Sequence, residues 1–275
     1  VLETAGKNWA VKQIYDIYTI SNSLTLKKDF DRCSSDLIND AISKGCCKSK
    51  EDFSFKDCYE DKLYSFASKG DYRRQYTMDS LRSNARNIDV GYMKRILRSH
   101  CNDKVGNFRS GSMKSICMHG GGVISSQTTG SMIAQLRSGS ITLWCTNTSL
   151  PCLSLYKPYW FIENKELFFT EEQQSEAVEY WKKNELLHRM VLNGQIADIS
   201  SFTAKRDEVE AQLMKLADQV KSDEDKIEVM RLAKQSEQEL CKILSDSIST
   251  AKKKRWNLNL YYNWYWKKQN NSLNS

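Results

Sequence analysis

The chain has 275 residues, of which 40% are hydrophobic and 11% aromatic; that is enough apolar material to bury a core, so global disorder is excluded. The net charge of +7, from 41 basic and 34 acidic side chains, is modest, and much of the excess sits at Lys252, Lys253, Lys254, Arg255, Lys267 and Lys268. Without a recognisable binding motif this balance argues against a nucleic-acid partner, and no apolar run of about 18 residues is present to form a membrane-spanning helix.

In chain order, residues 1–26 read as paired strands. Gly6-Lys7 is a tight-turn signal, and Ile14, Ile17 and Ile20 lie in a β-branched, aromatic run that ends at Ser21-Asn22-Ser23. Residues 29–45 and 53–69 show helical spacing, through Leu37, Ile38, Ala41 and Ile42 and then Tyr59, Leu63 and Phe66, with Gly70-Asp71 closing the second helix. Helices are also expected over 73–84 and 90–100, followed by a polar loop over 101–115. Residues 115–161 form a β-rich core in which 131–136 and 140–145 are strands joined at Ser138-Gly139. Thr170 and Gln173 are spaced as a capping box that opens a long helix ending near Gly194. Phe202, Val209, Leu213, Leu216, Val220 and Ile227 trace a heptad seam through 199–249, read as a helical hairpin packing on its own domain, with Ser222-Asp223 at the break. In the last segment, 252–275, Trp256, Tyr261, Tyr262, Trp264, Tyr265 and Trp266 alternate with lysines and asparagines. The preferred reading there is a helix docking its rings on the domain, with a membrane or nucleic-acid surface as the alternative.

The nine cysteines are odd in number, form no C-x-x-C pair and have no zinc spacing with the three histidines, so reduced thiols in a cytoplasmic protein with no metal and no cofactor are expected. Cys117, Cys145 and Cys152 read as small apolar residues in the sheet. His119-Gly120-Gly121-Gly122 resembles an esterase oxyanion loop, but the chain has no G-x-S-x-G nucleophile elbow, so the histidine is read as structural and the glycines as a flexible loop.

Two stretches carry a family resemblance. One is Val1-Leu2-Glu3-Thr4-Ala5-Gly6-Lys7-Asn8-Trp9-Ala10, continuing to Ile20-Ser21-Asn22-Ser23-Leu24. The other runs from Ile116-Cys117-Met118-His119 through Thr128-Thr129-Gly130-Ser131-Met132 to Pro151-Cys152 and Lys157-Pro158-Tyr159-Trp160-Phe161. Together they resemble the C-terminal portion of the secernin and cysteine-type dipeptidase family, a branch of the N-terminal-nucleophile (Ntn) hydrolases. The resemblance implies an α+β fold: part of an αββα sandwich of antiparallel sheets over 1–169, a helical extension over 170–251 and a basic aromatic tail over 252–275.

It also implies amide hydrolysis of a peptide or small amide substrate by an N-terminal cysteine. Because the matching segments are internal to the family, that cysteine and the N-terminal half of the same protein are expected upstream of Val1. The chain by itself is then expected to be inactive, with exposed strand edges and apolar faces. Within the chain, Asn22 matches the family's Ile-Ser-Asn-x-Leu segment and is the candidate oxyanion donor. Arg73, in Gly70-Asp71-Tyr72-Arg73-Arg74, is the candidate for orienting substrate or thiol, though position alone does not separate it from Arg74. A non-catalytic cytoplasmic regulator of exocytosis is the alternative function, and a homo-oligomer is left open.

Overall fold

A computed structural model of the chain describes residues 1–100, 109–162, 169–195, 199–249 and 259–273; Cys101, the basic run Lys252, Lys253, Lys254 and Arg255, and Trp256 lie outside them. About 49% of the described residues are helical, against two small antiparallel sheets, which makes the class mixed α+β. The chain divides into two compact units, Val1–Ile88 and Asp89–Ser275. The expected boundary at 169/170 falls inside the second unit, whose later helices pack on its sheet.

In the first unit, β1 (Leu2–Ala5) and β2 (Asn8–Val11) form the hairpin expected at Gly6-Lys7, with Gly6 at φ 61°. This backbone conformation costs glycine little. Strand β3 (Arg32–Cys33) adds to β2, so the helix expected over 29–45 is shortened to α1 (Leu37–Ser43). The run containing Ile14, Ile17 and Ile20 forms no strand. Its backbone is bonded instead by side chains: Gln13 N–H donates to Asp31 Oδ2 at 2.6 Å, and Arg74 Nε donates to Thr19 O at 3.0 Å. These partners, 18 and 55 residues away, satisfy backbone groups that a ladder would otherwise pair.

The helix expected over 53–69 is two helices, α2 (Phe55–Tyr59) and α3 (Lys62–Ser68). Glu60 is extended, and the Asp61 side chain caps the next turn by accepting from Tyr64 N–H at 2.9 Å. This break turns Leu63 and Phe66 outward, where both are exposed. Gly70 does not end a helix but begins α4 (Gly70–Ser83), after a left-handed turn at Lys69 with φ 55°. The small core of this unit is Ala10, Leu26, Leu37, Ala41, Phe53 and Phe55.

The second unit opens with α5 (Val90–Leu97) and carries the antiparallel sheet β4 (Met132–Arg137), β5 (Ser140–Cys145) and β6 (Lys157–Tyr159), in that order. Thr170 and Gln173 form the capping box ahead of α6 (Gln174–Leu192). Helices α7 (Ser200–Ala217) and α8 (Asp223–Ser249) pack on each other and on β6, forming a hairpin on the domain rather than an extended coiled coil.

The aromatic tail forms α9 (Leu260–Leu273), which packs on α6 and buries Tyr262 and Trp266 completely. Trp266 Nε1–H donates to Gly120 O at 3.0 Å. A Cβ at Gly120 would lie 2.7 Å from the Tyr265 hydroxyl oxygen. The glycines after His119 therefore make room for this helix.

Candidate functional site

Asn22 and Arg73, 51 residues apart, meet at the start of α4. Arg73 is buried, and its Nη2 donates to Asn22 Oδ1 at 2.5 Å while Nη1 donates to Ser68 O. Burial pushes the guanidinium below its ordinary pKa, yet an arginine stays charged at neutral pH. Asn22 itself is exposed. With Oδ1 bonded to the guanidinium, the amide orientation is set and the NH2 group is the donor end that remains.

The backbone around Asn22 is clamped as firmly as its side chain. Ser68 Oγ donates to Asn22 O at 3.1 Å, and Ser23 Oγ donates to Asp71 Oδ1 at 2.9 Å. Lys56 Nζ also reaches Asp71 Oδ1, at 2.6 Å. Gly70 allows this approach, since a Cβ there would lie 2.7 Å from Asn22 C and 2.8 Å from Asn22 O. Further along, Glu3 is buried, and its carboxylate accepts from Thr25 N–H and Leu26 N–H, each at 2.9 Å, which ties the end of the loop to β1.

The structure separates the two arginines that sequence position leaves equivalent. Arg74 bonds Thr19 and stacks over the Tyr18 ring at 5.4 Å, whereas Arg73 holds Asn22. Buried against Ser68 and Asn22, Arg73 holds the Asn22 amide in one orientation.

A second convergence lies in the second unit. His100, Cys117, His119 and Cys152 bring one ligand atom each to within 4.8 Å of one another. His119 Nε2 lies 3.2 Å from His100 Nε2, 3.4 Å from Cys117 Sγ and 3.2 Å from Cys152 Sγ. Burial pushes the Cys117 thiol well above its ordinary pKa. Burial acts the same way on Cys152, but hydrogen bonding from Cys117 and the adjacent His119 and His100 outweigh it and hold this thiol well below its ordinary range.

These findings correct the reading of both cysteines as sheet residues: Cys117 and Cys152 lie in loops, and of the three only Cys145 is on a strand. The cluster has no signature in local spacing, because its members are spread from position 100 to position 152. The Cys117-Met118-His119 adjacency is its one local trace.

Ser149, Glu185 and His188 also adjoin, with Ser149 Oγ bonded to Glu185 and 3.3 Å from His188 Nδ1. All three are buried, so the hydroxyl has no open path to a substrate. Among the described residues no helix is long and apolar enough to cross a membrane. The sequence matches no protein-family model.

Proposed function

We propose that the chain is the C-terminal portion of a secernin-like cysteine-type dipeptidase, in which Asn22 donates to the oxyanion of the tetrahedral intermediate. The observation that carries this reading is the Arg73–Asn22 bond: a buried cation fixes the amide of an exposed asparagine, leaving its NH2 as the donor. A pre-set donor next to a positive charge stabilises developing negative charge without reorganising during the reaction.

On this reading the nucleophile is a cysteine preceding Val1 that becomes N-terminal in the active protein. Its thiolate attacks the amide carbonyl, the amine leaves, and water hydrolyses the thioester. On this reading the same upstream segment also completes the αββα core. The protein is cytoplasmic on this reading, its substrate is a dipeptide or small amide, and a lone 1–275 chain is inactive.

The test is N-terminal sequencing and intact mass of the protein from its source, followed by dipeptide hydrolysis. An upstream N-terminal cysteine, with turnover lost in its Cys→Ala variant, supports the proposal. A native product without such a cysteine overturns it and leaves the non-catalytic regulatory role.

A further inference from the structure

We infer that His100, Cys117, His119 and Cys152 bind one zinc ion in a closed tetrahedral structural site. A histidine Nε2 carries either one lone pair or one N–H, so it makes one good hydrogen bond in the ring plane. His119 Nε2 instead has three ligand-type neighbours, at 3.2, 3.4 and 3.2 Å. Hydrogen bonding satisfies one of these approaches; a cation at the centre satisfies all of them.

The distances agree with that. Zinc–nitrogen bonds of about 2.0–2.1 Å and zinc–sulfur bonds of about 2.3 Å at tetrahedral angles separate neighbouring ligand atoms by roughly 3.3–3.8 Å. Of the contacts to His119 Nε2, the one at 3.4 Å lies within that range and the two at 3.2 Å lie just below it, while all four ligand atoms fall within 4.8 Å of one another, close enough to converge on one small ion.

Charge and burial point the same way. Cys117, His119 and Cys152 are buried and His100 is half-buried, which suits a structural site better than one open to substrate. Two thiolates and two neutral imidazoles around Zn2+ make a neutral assembly, which limits the cost of burial. Binding is balanced as Zn2+ plus two thiols giving a zinc dithiolate and two protons, with no redox step. Two thiolates with two imidazoles favour zinc over the hard, oxygen-seeking cations.

The backbone holds the ligands in register. Cys117 N–H donates to Ser99 O at 3.0 Å, which sets Cys117 beside His100. Thr128 N–H donates to Met118 O at 3.0 Å, and Leu150 N–H to Thr128 O at 2.9 Å, which links the Cys117–His119 loop to the Cys152 segment. Arg206 on α7 donates to Cys152 O. The described residues 109–131 contain no strand and no α-helix, and α9 docks on this segment at Gly120. A metal joining the end of α5, this loop and the segment after Pro151 supplies rigidity that regular structure does not.

The experiment is elemental analysis of the protein, purified with reductant and without chelator, and of Cys117→Ser, His119→Gln and Cys152→Ser, with Cys145→Ser as a control outside the cluster. About one zinc per chain is expected in the wild type and the control, and its loss in the other three. Should those variants fail to fold, cobalt exchange into the wild type decides the matter. The expected result is the intense visible absorption of tetrahedral cobalt with a thiolate charge-transfer band.

Four outcomes overturn the inference: wild type that takes up no zinc on reconstitution, a Cys117–Cys152 disulfide in the native protein, zinc retained by the folded cysteine variants, or octahedral cobalt without thiolate bands. None depends on dipeptidase activity, so this inference and the proposed function can fail separately.

Discussion

Arg73 Nη2 reaches Asn22 Oδ1 at 2.5 Å while the same guanidinium bonds Ser68 O, so one buried side chain ties the Asn22 loop to the turn between α3 and α4. Lysine carries the charge but not the planar fork needed for two acceptors held apart. Arg73→Lys is expected to cost about 1–3 kcal/mol, the range for losing a charge-assisted hydrogen bond at a buried site. The measurement is urea unfolding, together with the Asn22 side-chain amide resonances. Resonances unchanged in position and exchange rate would contradict the clamp. Gly70→Ala should move the same resonances by a different route, since its Cβ would press on the Asn22 backbone.

Asp40 predicts how the first unit responds to acid. The Lys44 ammonium bonds its carboxylate at 2.7 Å, and with donation from Asn8 at 2.8 Å and Tyr59 at 3.0 Å it outweighs the effect of burial, pushing the pKa from 3.8 down to about 2. A pKa lower in the folded state means the unfolded chain binds the proton first. The contribution is therefore complete above about pH 4 and is lost as pH falls through 2. Melting temperature against pH for wild type and Asp40→Asn should converge over that window. Parallel curves would show that the ordinary carboxylate value is retained.

How far the sequence reveals the fold depends on how local the governing interactions are. Gly6-Lys7, the Thr170–Gln173 capping box and the strands either side of Ser138-Gly139 act within a few residues, and each forms near its expected place. The break at Glu60 and Asp61 is also local, but apolar spacing masks it: Tyr59, Leu63 and Phe66 fit one helical face, while the Asp61 cap starts a new helix. The isoleucines over 14–20 have strand propensity without a strand partner, because β2 pairs with β1 and β3. Asn22 and Arg73 were both legible as candidates through the family resemblance, but their bond was not, nor was the cluster at His119. Both depend on residues that only the folded chain brings together.

Glu210 is the acid that neutralises a buried cationic pocket. Arg98 grips it in a fork, with Nη1 to Oε2 at 2.9 Å and Nη2 to Oε1 at 2.6 Å, and Tyr156 N–H donates to Oε1 at 2.7 Å. Lys94 Nζ, buried over the Trp144 ring at 4.4 Å, has Glu210 Oε2 as its ion-pair partner at 3.5 Å. Glu210→Gln preserves the shape but takes the ion-pair partner from buried Lys94 and the fork from half-buried Arg98, which keeps Asp207 at 3.5 Å. The expected loss is about 3–5 kcal/mol. Glu210→Gln combined with Lys94→Met should recover part of it, as one stranded cation is removed. Chemical denaturation of the single and double variants tests this, and additive losses would show that the three groups do not share one electrostatic site.

The docking of α9 gives the sharpest glycine test. Gly121 has φ +125°, and a Cβ built on it would lie 2.6 Å from Tyr262 Cε2 and 3.3 Å from Trp266 Nε1. Both side chains are fully buried, so neither can swing away; the helix must shift, or the loop must leave a conformation that alanine already disfavours. Gly121→Ala is therefore expected to destabilise by about 1–3 kcal/mol and to red-shift tryptophan emission as Trp266 meets water. Gly130→Ala is the matched control: nothing lies within 4 Å of its Cβ, and its φ is not in the left-handed region, so stability should hold or rise slightly. Equal losses from the two substitutions would contradict a cost specific to Gly121, because the stiffer unfolded chain favours folding in both variants. A loss confined to Gly121→Ala places it at Gly121 itself, where the positive φ and the contact with Tyr262 coincide and the glycine run after His119 receives the C-terminal helix.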